Sequence, residues 1–455
     1  MTSHPLDALI EAKDGGATRG LASICSAHPV VLEATLRRAV AHDDLALVEA
    51  TCNQVNQDGG YTGMRPADFH AQVVERARAV GLEPDRLLLG GDHLGPNPWR
   101  AESAADAMGK AERLVEEFAT AGYRKLHLDA SMHCADDDSS RPLRPEEIAE
   151  RTARLAAAAE TAATAASPPG PSGPSGPERI RYVIGTEVPV PGGAAADDDE
   201  LHVTTAADVA ETLAVTRAAF VAHGAEAAWE RVRLVVAQPG VEFSDAGVHK
   251  FVPEEAVHLA EFIEREPALA FEAHSTDYQT VTALRSLVQS RFVVLKVGPA
   301  LTNAYREGVF AFSYIEDAMF ESARASGVRE VLDAAMRDNP IYWSDFYAGD
   351  AAAQHRARQF SRSDRSRYYW PVPSVASAVA TMSANLRAAR IPDELLAQFM
   401  PVQFRRVRDE GLRNDPDTLL RSKLDEVLND YFEACRSDRD SGAVRDGRGV
   451  HDMEV

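Results

Sequence analysis

Eight short apolar runs recur along the first 300 residues, at 20–23, 46–49, 86–89, 125–128, 181–184, 233–236, 269–272 and 292–296. Runs of four or five residues are too short for a helix but suit strands buried on both faces. Most are separated by stretches of helical character. Residues 101–121, for example, are rich in Ala, Glu, Met and Leu, and Gly122 ends them just before the next run. Alternating strands and helices imply a parallel sheet with crossovers. Eight such units in about 320 residues favour closure into an α/β fold of the (β/α)8 TIM-barrel type over a doubly wound open sheet. In a barrel, the groups that follow each strand converge on one mouth.

A chain of 455 residues with 45% hydrophobic content buries one large core and carries a smaller appended region. The strand signal fades near residue 330, and 375–390 and 416–435 read as helices, so a barrel over 1–330 and a helical extension over 331–435 are expected. The stretch 436–455 is charged and aperiodic, the pattern of a disordered tail. The insertion 167–177, SPPGPSGPSGP, reads as an exposed loop, because Pro removes donors and Gly adds backbone freedom. The acidic runs 136–138 and 197–199 read as hydrated loop patches.

The formal charge of −22 and pI near 5.1 repel nucleic-acid backbones and anionic bilayers. No apolar run is long enough to span a membrane, and residues 1–12 lack a signal-peptide pattern. Cys25, Cys52, Cys134 and Cys435 show no paired spacing, as in a reduced cytoplasmic protein. An anionic sugar remains compatible, since a helix N-terminus or a cationic cluster reverses the field inside one cleft.

Polar groups stand where several strands emerge from the core. His93 and His274 are the leading metal-ligand candidates, with Glu187 and Gln238 as further oxygen donors. A divalent ion so held, zinc or alternatively manganese, suits Lewis-acid chemistry. Asp92 and Asp129 are the acid/base candidates, because burial raises carboxyl pKa values toward neutrality. On an extended strand Asp92 and His93 point apart, so a turn must bring both to one cavity. Asn53 and Gln54 lie in an amide-rich loop fitted to sugar hydroxyls or to turn stabilisation, and Ser131, Ser275 and Asp277 add polar groups after later strands. Lys296 and Gly298 open a Gly-Pro loop into a helix, a layout that accepts phosphate or simply starts the helix. Lys296 is alternatively a Schiff-base nucleophile.

The segments NQVNQ (53–57), GGYTGM (59–64), GGDHLGPN (90–97), LDASM (128–132), VIGTEVPVPGG (183–193), QPGVEF (238–243), EAHSTDYQ (272–279) and LKVGPALT (295–302) resemble the Z-type subunits of tagatose-1,6-bisphosphate aldolase. The likeness runs from about residue 20 to 435 and departs at the insertion and the tail. It implies a TIM-type barrel, galactitol or amino-sugar catabolism, oligomeric assembly, and partnership with a catalytic class II aldolase subunit. The zinc aldolases that this family resembles end one strand with Asp-His and add a His from each of two later strands. Asp92-His93 and His274 match, whereas Gln238 stands where the middle imidazole is expected, so that either Glu187 substitutes for it or the metal is lost. Two further readings are an autonomous metal-dependent ketohexose or ketohexose-phosphate 4-epimerase, which shares aldol chemistry, and a sugar kinase. The kinase lacks support, since no phosphate-binding Gly-x-x-x-x-Gly-Lys-Ser/Thr loop is present.

Overall fold

The computed structural model describes residues 4–166, 179–185, 201–245, 247–321 and 324–436. Eight parallel strands close into a barrel: β1 (Leu21–Ile24), β2 (Ala46–Thr51), β3 (Leu87–Leu94), β4 (Lys125–Leu128), β5 (Arg181–Ile184), β6 (Val232–Val236), β7 (Ala270–Ala273) and β8 (Phe292–Val297). Each overlaps one of the eight expected runs. Every barrel strand pairs with its sequence neighbour, and β1 closes on β8 with Leu21 opposite Val294 and Ser23 opposite Lys296. The insertion at 167–177, Glu187, the acidic run 197–199 and the tail from 437 lie outside the described residues.

Period-two alternation sorts the strands into two cores. Leu21, Leu47, Leu88, Val183, Leu234 and Val294 fill the lower barrel interior, where Leu6, Leu9 and Ile10 of the helix Pro5–Asp14 plug it from below. Ala22, Val48, Leu89 and Leu126 point outward into the layer of surrounding helices. One step up the interior faces, at Ser23, Glu49, Gly90, Lys125, Glu272 and Lys296, the filling turns polar. Gly90 is required there, because a Cβ would sit 2.8 Å from the Glu49 side chain.

After β8 the helix Pro299–Met319 completes the barrel. Helices follow at Val328–Asp338, Ala351–Phe360, Pro373–Ala389, Asp393–Phe399, Pro401–Glu410 and Pro416–Cys435. The last folds back onto the barrel: Gly20 N–H donates to the Cys435 carbonyl at 2.9 Å, and the Tyr431 hydroxyl donates to the Thr276 carbonyl at 2.7 Å. The acidic run 136–138 does local work: Asp136 accepts from Ala104 N–H at the start of the helix Ala104–Thr120, and Asp137 pairs with Arg151 at 2.6 Å. Among the described residues no helix is long and apolar enough to cross a membrane.

Candidate functional site

The site begins with a break in β3. Its register against β4 shifts between Gly91 and Leu94, and His93 adopts a left-handed φ of 48°. That turn cancels the alternation which would send Asp92 and His93 to opposite faces. Both therefore line the same cavity at the barrel mouth. Gly95 makes the bend sterically feasible, since a Cβ there would lie 1.7 Å from the Asp129 carbonyl oxygen.

Asp92, His93, His127 and His274 are all buried, and each offers a ligand atom within 4.8 Å of the others. Each imidazole has one nitrogen beside a carboxylate. His93 Nδ1 lies 2.8 Å from Asp129 Oδ2, His127 Nδ1 lies 3.0 Å from Asp92 Oδ1, and His274 Nε2 lies 3.0 Å from Glu272 Oε1. The remaining nitrogen of each ring is left for a ligand, and His127 Nε2 is buried without a hydrogen-bond partner in the protein. Carboxylate-backed imidazoles with a free nitrogen are the donor set that divalent metals select, so the residues present fit a metal ion. The third imidazole of the cluster, His127, comes from β4. Gln238 is engaged elsewhere: its Oε1 accepts from Gly240 and Val241 N–H, both at 2.9 Å, and so closes its own turn.

Beneath the imidazoles lies a charged layer. Lys125, fully buried, is 2.8 Å from both Glu49 oxygens and 2.8 Å from Glu272 Oε2. Lys296 contacts Asp92 and lies 3.4 Å from Glu49 and from Glu272. Burial alone would raise Asp92, but Lys296, His93 and the bond from His127 hold its carboxyl well below the usual range. Burial likewise opposes ionisation of Asp129, yet His93 and Ser131 keep it ionised. The expectation of acid/base carboxyls raised toward neutrality is thus corrected, because cations and imidazoles outweigh desolvation. Burial would lower Lys296, but Asp92, Cys25, Glu272 and Glu49 raise it well above the ordinary lysine value. A protonated amine is a poor imine nucleophile, so this direction disfavours the Schiff-base alternative. Burial, reinforced by Lys296, lowers His274 to about 3 and keeps its ring neutral.

Asn53, Gln54, Ser275, Asp277, Lys296 and Gly298 all line the cavity with Asp92, His93 and His274. Their tasks differ. The Gln54 amide is spent on Thr51 N–H at 3.0 Å and the Cys25 carbonyl at 3.2 Å, so it shapes the loop. Ser131 donates to Asp129 at 2.6 Å and fixes the carboxylate that backs His93. Asp277 Oδ1 accepts from Gly298 and Ala300 N–H at 3.1 and 2.7 Å, so the helix start expected to accept phosphate is already capped from within. Burial pushes Asp277 up to about 6 despite those bonds.

Sequence reading missed His127, Glu49, Lys125, Arg367 and Tyr368. A signal for two existed: Lys125, His127 and Asp129 recur at period two within one strand end. Arg367 and Tyr368 reach the mouth from a 3-10 turn, Arg365–Tyr368, far along the chain, and no local pattern marks them.

A closed parallel barrel with carboxylate-backed imidazoles at the C-terminal ends of its strands defines a class of barrel proteins with a metal-type polar centre. Within it, the chain belongs to the D-tagatose-1,6-bisphosphate aldolase subunit GatZ/KbaZ-like family, whose model matches residues 6–436. It is 46% identical over 430 residues to the D-tagatose-1,6-bisphosphate aldolase subunit GatZ of Klebsiella pneumoniae, covering 94% of this chain and 99% of that one. It also resembles a solved structure described as a probable tagatose 6 phosphate kinase from Sinorhizobium meliloti. That match has 43% identity and a TM-score of 0.82, and covers 92% of this chain and 100% of the other.

Proposed function

We propose that the protein serves cytoplasmic ketohexose catabolism as the Z-type subunit of a tagatose-1,6-bisphosphate aldolase, binding a sugar phosphate at the barrel mouth and supporting a class II catalytic partner. Its 46% identity to a relative named as that subunit supports the role and does not favour an autonomous 4-epimerase. The observation that carries a ligand-binding role is the trio His93, His127 and His274, each backed by a carboxylate. A scaffold alone has no physical need for three buried imidazoles so oriented.

His93, His127 and His274, with Asp92 beside them, would hold the metal. Zinc suits imidazole donors, with manganese the alternative. When bound, the ion supplies Lewis-acid polarisation of substrate oxygens. The chain's own groups do the rest. Asp129, braced by Ser131, fixes the His93 ring, and Glu272 fixes His274. Ionised Asp92 accepts a hydrogen bond from a sugar hydroxyl, and protonated Lys296, paired with Asp92, Glu49 and Glu272, keeps that carboxylate ionised. Asn53 and Ser275 offer neutral polar contacts at the rim.

The test incubates the purified chain with tagatose 1,6-bisphosphate, tagatose 6-phosphate and free fructose, with and without Zn2+ or Mn2+ and a class II aldolase subunit. Triose phosphates that appear, or strongly increase, only with both proteins bear the proposal out. A C4 epimer formed by the chain alone would overturn it in favour of epimerisation.

A further inference from the structure

The mouth has a second chamber. The cavity at the imidazoles is only about 90 Å³. That is room for roughly six to nine waters at 10–15 Å³ each. A ketohexose bisphosphate, with a phosphoryl group at each end of its carbon chain, outgrows it. Beside it lies a chamber of about 560 Å³, and the two share Gln54, Tyr61, Gly298 and Arg367 as common wall.

Charge picks out one residue on that wall. Lys296 is spent on Asp92, Glu49 and Glu272. Arg367 instead donates to the Ser363 and Asp364 carbonyls and to the Tyr368 hydroxyl, all neutral acceptors. Among the described residues no carboxylate lies within ion-pair distance of it. A guanidinium holds carboxylate or phosphate oxygens through paired donors. The side chamber adds orphaned groups. Trp370, only 5% exposed, lines it with an indole Nε1 that has no hydrogen-bond partner in the protein, and His28 Nδ1 is buried in the same condition. Both rings pack on Tyr305, with centroids 5.0 and 4.1 Å away, so they share one wall. The helix start after β8 cannot serve instead, because Asp277 already occupies its first N–H groups.

We propose that the side chamber holds the phosphoryl group of the substrate distal to the imidazoles, with Arg367 as its charge partner and the Trp370 indole N–H and His28 as further hydrogen-bonding groups. The inference rests on the sugar-phosphate reading above. It makes a turn of the C-terminal extension the source of the charge that distinguishes phosphorylated from free sugars.

Calorimetric titration of the full-length protein, its Arg367→Gln and Arg367→Lys variants, and Trp370→Phe tests this with four ligands: inorganic phosphate, tagatose 1,6-bisphosphate, free tagatose and Co2+. In Arg367→Gln, affinity for phosphate and bisphosphate should fall about tenfold or more, since a charged hydrogen-bond donor is lost. Arg367→Lys should recover part of it, and Trp370→Phe should lose a smaller factor. Free tagatose and Co2+ should bind all variants as the parent. Unchanged anion affinity in Arg367→Gln overturns the inference, as does a parent protein that binds no anion, or a loss shared equally by free tagatose and Co2+. Phosphate binding that depends on Arg367, in a protein that ignores the bisphosphate, upholds the anion site and sinks the sugar reading alone.

Discussion

Lys125→Met removes a cation from the floor of the site while keeping its chain length. Lys125 and its partners Glu49 and Glu272 are all fully buried, with nitrogen–oxygen separations of 2.8 Å. The variant leaves two carboxylates facing one another with only Lys296, 3.4 Å from each, to offset them. Breaking a buried pair by deleting one partner costs about 3–5 kcal/mol. With an unfolding entropy of about 2.1 cal/mol/K per residue, a 455-residue chain loses roughly 1 °C of Tm per kcal/mol, so a fall of roughly 3–5 °C is expected by calorimetry. The damage should reach the site as well. Glu272 is held well below its usual range against burial chiefly by Lys125, and the same carboxylate orients His274. Loss of such a backing contact typically weakens metal affinity about 10- to 100-fold, readable by Co2+ titration. Pairing Lys125→Met with Glu49→Gln removes the excess charge and should restore most of the Tm. The reasoning fails if the single variant melts and binds Co2+ as the parent does, or if the double variant is no better than the single.

His93→Ala, His127→Ala and His274→Ala should each reduce metal content, measured by atomic emission on dialysed protein, from stoichiometric to trace; full occupancy in all three would dismiss the metal assignment. Gly95→Ala places a Cβ 1.7 Å from the Asp129 carbonyl oxygen. It should cost about 3 kcal/mol or more in denaturant unfolding, and a parent-like midpoint would show that the bend relaxes freely. Asp277, raised to about 6, favours its protonated form in the folded state. Its contribution is therefore fully present below the ordinary carboxylate value near 3.8 and is lost as pH rises through 6, by up to about 3 kcal/mol. Asp277→Asn should erase that slope in the difference between parent and variant stability curves, and identical curves from pH 4 to 7 would contradict it.

The barrel was legible because strands buried on both faces must be short, apolar and spaced by helices, and all eight show that pattern. Strand order put Asp92, His93 and His274 on the same rim, and the turn at His93 then brought Asp92 and His93 into one cavity. Three things were hidden. His127 lies inside β4 rather than after it, and looks like an ordinary core residue until Lys125 and Asp129 are recognised on the same face. The ionisation of Asp92 and Asp129 depends on Lys296 and His93 from other strands, so burial considered alone gave the wrong direction. Arg367 arrives across more than 300 residues of chain from the first wall residues it meets, Gln54 and Tyr61, and no spacing rule connects them.

The hydroxyl of Tyr431 grips the loop behind His274, and the turn at Arg365–Tyr368 walls the cavity in front of it. The eight strands therefore carry the imidazoles without enclosing them. The front wall and the rear brace of the chamber both come from chain that follows the last strand.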